Sequence, residues 1–217
     1  MTNFSLGSNC PATRVAGFTM IEVLVTLVVL SLGLLGVIGL QARGQQAELE
    51  SYQRGQALVL LQDMADRMNA NRAAAHNLSY VTSSPVGGGG VLTDCSGLTG
   101  AAYDLCDWGN QLNGAAEVAS GGTCDTSSGA KCVGAMLGAR GCVAYDSTTA
   151  LADSTGATMT GTGIYTVTVA WQGVSATASP PSSLPCAQNL YPGGSTANDA
   201  MRRVVTTTMR IANLNSP

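Results

Sequence analysis

Hydrophobic and polar positions divide this chain into three stretches of different periodicity. From Val15 to Ala42 the sequence is apolar with few interruptions, and Glu22 is its single ionisable side chain. Residues 21–40 supply about 20 helix-compatible positions, enough at about 1.5 Å each to span a hydrocarbon core of roughly 30 Å. From Gln41 the pattern turns amphipathic and stays free of proline as far as Pro85. Leu58, Leu61, Met64, Ala65 and Met68 recur at helical spacing and predict a buried stripe. The pairs Glu50/Arg54 and Asp63/Arg67 stand at i, i+4 in the favourable order, each worth about 0.2–0.5 kcal/mol on a helix surface. One helix is therefore expected over about 18–73, with its first half in a membrane and its second half packed on a domain.

Beyond His76 the chain changes character. Gly87 to Gly90 is an unbroken glycine run, and 113–130, 147–163 and 173–199 are rich in Gly, Ser and Thr. Between these lie short ordered candidates. A short helix is expected over 103–112, around Trp108, and a strand over 141–145. Over 164–171 the alternation is clean: Tyr165, Val167, Val169 and Trp171 face one way, Thr166 and Thr168 the other, as in a half-buried strand. Residues 203–211 alternate likewise, with Val205, Thr207, Met209 and Ile211 on the inner face. An antiparallel sheet laid on the second half of the long helix would bury both stripes. The expected class is α+β: a long N-terminal helix and a small C-terminal antiparallel sheet domain.

Composition narrows the function. Only 11% of residues are charged and the net charge is −3. Nucleic-acid binding needs clustered Lys and Arg to neutralise phosphates, and the basic residues here are dispersed. Cysteine placement adds a compartment. Cys10 precedes the apolar run, whereas Cys95, Cys106, Cys124, Cys132, Cys142 and Cys186 all follow it. Six cysteines in one exported segment fit three disulfides in an oxidising compartment, with the pairing left open. They would also compensate for long loops and few aromatic residues. Metal binding is disfavoured, because no C-x-x-C pair occurs and the sole histidine, His76, lies elsewhere. That histidine has no nucleophile pattern near it and reads as solvated at a helix end, no calcium-loop pattern occurs, and the glycine run lacks the Lys-Ser/Thr of a phosphate cradle. Asp94, Asp104, Asp107 and Asp125 read as scattered loop residues. The chain is expected to be no enzyme, with no cofactor and no metal.

The anomaly is the acid at the mouth of the apolar run. An ionised group costs about 2.5–3.5 kcal/mol at a bilayer centre and less near its edge, so Glu22 needs a partner. The stretch Gly17-Phe18-Thr19-Met20-Ile21-Glu22-Val23-Leu24 resembles the processing site of type IV pilins and pseudopilins. That resemblance implies a leader, 1–17, cut after Gly17 by prepilin peptidase and a methylated new N-terminus at Phe18. It also makes Glu22 the assembly glutamate. Cleavage would expose an α-amine with a reference pKa of about 7.7–8.0, cationic near neutral pH. Between staggered copies the amine of one helix reaches Glu22 of the next, and such a pair sets register more than it adds stability. Gly33, Gly36 and Gly39 permit close helix approach. Arg14 places the leader on the cytoplasmic side by the positive-inside rule.

The segment from Asp63 to Arg72 is similar to the close of the long helix in PilV-type minor pilins, with Asn69 where those carry a basic residue. The resemblance implies an assembly protein that primes and joins a type IV pilus, as used in twitching motility. Its partners would be prepilin peptidase, the major pilin, other minor pilins, the inner-membrane assembly platform and a large tip adhesin. The chain would sit in the inner membrane with its C-terminal domain periplasmic, then at the pilus surface. Four segments follow: the leader at 1–17, the membrane and assembly half of the helix at 18–42, its periplasmic half at 43–76, and a loop-rich β domain at 77–217. Two alternatives keep the architecture: a minor pseudopilin of a type II secretion system, and a tip-located binding or adhesion module.

Overall fold

The computed structural model describes residues 17–88, 92–115, 136–192 and 199–211. Cys10, Arg14, Cys124, Asp125, Cys132 and part of the glycine run lie outside them. The chain divides into two compact units, Met1–Gln45 and Gln46–Pro217. Helix α1, Met20–Ala70, contributes to both.

The first unit holds the apolar part of α1. Here the helix begins two residues later than expected. Thr19 closes its first turn, accepting from the backbone N–H of Glu22 through both its carbonyl oxygen (3.1 Å) and its Oγ1 (3.4 Å). That is N-capping, in which a threonine oxygen satisfies a first-turn donor that has no helical partner. α1 is long and apolar enough to cross a membrane, and none of its most apolar window is buried in the chain.

In the second unit, a four-stranded antiparallel sheet runs in the order β1-β2-β3-β4. The strands are β1 (Val86–Gly87), β2 (Leu137–Asp146), β3 (Ile164–Gln172) and β4 (Arg202–Arg210). Against its inner face lie the second half of α1, α2 (Arg72–His76) and α3 (Gly100–Leu112). The α1 stripe is Ala57, Leu61, Met64, Ala65 and Met68. Leu58 was expected there and instead stands 48% exposed, because Ala57 completes the i, i+4, i+7 row and its neighbour points about 100° away. Trp108 from α3 is fully buried and donates its indole N–H to the Leu60 carbonyl at 2.8 Å.

The expected single helix to residue 73 is broken. Asn71 leaves helical backbone at φ −114, ψ 60, and the chain restarts as α2. α2 ends in a Schellman turn: Leu78 donates to the Ala75 carbonyl, and Ser79 to that of Ala74. Leu78 takes the left-handed position (φ 59) usually left to glycine and packs on the core, and that contact offsets the strain. Tyr165 ties β3 to α2 by donating to the Ala75 carbonyl at 2.5 Å. Gly161 lies so close that a Cβ there would stand 2.3 Å from the His76 Cα. His76, read as solvated, is half-buried.

β3 is also more covered than a half-buried strand. Its outer face carries a second cluster, in which Ala170 packs with Cys186, Ala187 and Tyr191. Two disulfides are formed among the described residues, Cys95–Cys106 and Cys142–Cys186. The second fastens the 184–191 turn over β2 and β3. Arg202 reinforces it from beneath, pairing with Asp199 and donating to the carbonyls of Leu184 (2.7 Å) and Cys186 (3.0 Å).

Candidate assembly site

The N-terminal segment is built from residues that turn outward. Gly17 and Phe18 precede the helix, and Phe18 is 83% exposed. Glu22 sits in the first turn, where its negative charge favours the helix dipole, typically by about 0.3–1 kcal/mol at an exposed site. Two hydroxyls farther along need no outside partner: Thr26 donates to the Val23 carbonyl at 2.8 Å and Ser31 to that of Leu27 at 2.7 Å. Self-satisfied hydroxyls of this kind suit a helix in lipid, where water cannot serve them. At Gly33, Gly36 and Gly39 a Cβ would meet nothing within 4 Å. Packing inside the chain therefore gives no reason for glycine at these three positions.

The domain half of α1 is held by a charged clip. Arg67 reaches Asp63 on its own helix at 2.8 Å, and Asp107 (2.6 Å) and Asp104 (3.6 Å) on α3. Tyr80 donates its hydroxyl to Asp104. Burial pulls the Arg67 pKa down, but the bonds to Asp107 and Asp63 more than offset it and leave it raised. Burial, with the Asp104 bond second, pushes the Tyr80 phenol well above its ordinary range. Asp104 and Asp107 are thus helical and convergent, where a loop reading scattered them. Glu50 also departs from expectation. It pairs with Arg203 on β4 at 3.2 Å rather than with Arg54, because the sheet brings a closer guanidinium.

A family model for the prokaryotic N-terminal methylation motif matches residues 13–38, and one described as type IV pilin Tt1218 matches 39–106. The chain carries an N-terminal methylation motif followed by a type IV pilin segment. No curated protein and no solved structure matches it. The two family segments abut. The first covers the processing stretch and most of the apolar helix. The second covers the rest of α1, α2 and α3 as far as Cys106, taking in Arg67, Asp63 and Asp104 of the clip and stopping one residue short of Asp107. The long helix, small antiparallel sheet and disulfides make a pilin-like α+β fold. Pilins are a structural, non-enzymatic class, and the methylation motif implies processing by prepilin peptidase and assembly with other pilins.

In this pilin-like chain, Gly17, Phe18 and Glu22 fall within one turn of the α1 start. Of the cysteines expected to pair, Cys95, Cys106, Cys142 and Cys186 are bonded, while Cys124 and Cys132 lie outside the described residues. Among the described residues no group of three or more His, Cys, Asp or Glu could hold a metal. Reading the sequence missed the Asp199–Arg202 pair and the Tyr80 bond to Asp104. The i, i+3 spacing of Asp104 and Asp107 was the available signal, since it sets both on one helix face.

Proposed function

We propose that the chain is a minor pilin, PilV-like, that primes and joins assembly of a type IV pilus. Prepilin peptidase cuts after Gly17, Phe18 becomes the methylated N-terminus, and Glu22 receives the amine of a neighbouring subunit. The observation that carries this reading is an apolar helix half buried nowhere in its own chain, with one acid at its capped start directly behind a Gly-Phe junction. Such a helix needs both lipid and, on leaving it, other helices. The leader at 1–17, the membrane half at 18–42, the periplasmic half at 43–76 and the β domain at 77–217 are then successive functional segments. The platform, the major pilin, other minor pilins and a tip adhesin are its partners.

The test is the N-terminal mass of mature protein from its own host. The expected mass is that of a chain beginning at N-methylated Phe18. Glu22→Ala is expected to leave cleavage intact and lower recovery in sheared filaments at least tenfold. Recovery in filaments with residues 1–17 attached would overturn the proposal. Deletion should cost surface fibres and twitching. Loss of exoprotein release with fibres intact would instead select the secretion pseudopilin, and unchanged fibres with lost surface binding would select the tip binding module.

A further inference from the structure

The two edges of the sheet are finished differently. The β2 edge is blunted: β1 pairs over only two residues, Val86 and Gly87, and Thr82 exchanges two bonds with Val143 beyond it. β4 is left regular. It pairs with β3 through nine consecutive rungs without a bulge and contains neither proline nor glycine. Gly173 donates to the Met201 carbonyl at 2.8 Å, so odd-numbered residues of β4 bond to β3. The N–H and C=O groups of Val204, Thr206, Thr208 and Arg210 therefore point away from the sheet, and no backbone partner meets them among the described residues. Thr206, Thr208 and Arg210 are exposed. A long regular edge of this kind is a template for another strand, and soluble proteins usually blunt it.

We propose that the outer edge of β4 docks an extended, carboxylate-bearing strand of a partner subunit, which joins the sheet as a fifth strand. The occupant must be polypeptide in extended form, because only that repeats donors and acceptors at the spacing of the even-numbered groups. Charge selects an acidic partner over a second copy. β4 carries Arg202, Arg203 and Arg210 and no acid. Arg202 and Arg203 are matched by Asp199 and Glu50, but Arg210 has no carboxylate partner among the described residues, and nor does Arg54. Arg54 lines a hollow of about 370 Å³ at the inner side of this strand, with Trp171 and Val205. Pairing β4 with another β4 would bring a second unmatched Arg210 to the seam and no acid to meet either. Side chains of an added strand alternate between the two faces, so one set stands on the Arg54 side.

The proposal rests on the assembly reading, and hydrogen exchange of the full chain separates the two. In monomeric chain in detergent, amides of Val204, Thr206, Thr208 and Arg210 should exchange fast while those of Val205, Thr207 and Met209 are protected. In chain recovered from filaments the first set should slow at least a hundredfold. Thr206→Pro and Thr208→Pro delete outward N–H groups and spare the ladder to β3, as proline on an edge strand does. Both should melt within a few degrees of the parent yet enter filaments at least tenfold less. Arg54→Glu with Arg210→Glu should do the same. Even-numbered amides that stay fast in filaments, or are already protected in the monomer, would overturn the proposal. So would protection that grows with chain concentration alone, or proline variants that assemble normally. If the parent chain never enters filaments, the assembly reading fails and the docking edge falls with it.

Discussion

The two halves of α1 share one backbone geometry and obey opposite rules. Between Met20 and Gln45 every side chain is exposed, and leucines such as Leu35 (65% exposed) touch no core of their own. Between Gln53 and Met68 one stripe is sealed against a sheet, and Met64 and Met68 expose nothing. Sequence constraint in the second half comes from the chain itself: volume, register, and the clip at Arg67. In the first half the chain imposes no such constraint, so the demands for apolarity, for glycine and for one acid come from outside. That difference separates residues that fold the protein from residues that employ it.

Substitutions at matched chemistry sharpen the contrast. The largest expected effect is Trp108→Ala, which empties the centre of the second unit and removes the bond to Leu60. It should cost about 3–5 kcal/mol in denaturant unfolding of the full chain in detergent. Leu35→Ala should stay within about 0.5 kcal/mol in the same assay. A comparable loss at Leu35 would mean that the apolar half packs on its own chain, and the comparison would break. Glycines give the next pair. A Cβ at Gly141 would stand 2.2 Å from the fully buried Trp108 ring, so Gly141→Ala should cost about 1–3 kcal/mol by overpacking. Gly36→Ala meets nothing within 4 Å and should favour the helix by about 1 kcal/mol. Its cost should appear only in filament recovery.

How legible each half was follows from the same distinction. The apolar run, Glu22 and the Gly17-Phe18 junction are contiguous, so reading along the chain finds them. Strands β3 and β4 were legible because alternation survives in Tyr165-Val167-Val169 and in Val205-Thr207-Met209. Their second face was not. Thr168 is buried beneath Cys186, brought there by a disulfide to Cys142 and by Arg202 reaching the turn carbonyls. No local pattern encodes such contacts. Glu50 illustrates the same limit, since its i, i+4 neighbour Arg54 is the obvious partner until the fold supplies Arg203. The helix break at Asn71 escaped because asparagine is tolerated in helices, and nothing local marks 71 as a break.

The smallest effect expected here is in alkaline solution, and it too should divide the halves. Tyr165 is fully buried, and burial, with Tyr145 nearby, raises its pKa to about 12. An exposed tyrosine in the unfolded chain ionises near about 10. Between these values the unfolded state has released a proton that the folded state keeps, so stability falls as pH rises. The contribution is complete below about pH 10 and gone once the folded phenol itself ionises near 12. Tyr80, raised for the same reason, pulls in the same direction. The apolar half has no tyrosine of its own, and no lysine or arginine lies between Phe18 and Ala42. Raising the pH from 9 to 11 in detergent should therefore lower the urea midpoint seen by near-ultraviolet circular dichroism. Helical signal from the apolar half should persist. Tyr165→Phe should lower stability at pH 8 by about 0.5–1.5 kcal/mol through its lost bond to Ala75, and flatten the alkaline slope. An unchanged slope would show that the phenol is not held neutral by the fold, and that its bond to the α2 carbonyl is not what keeps that corner of the domain closed.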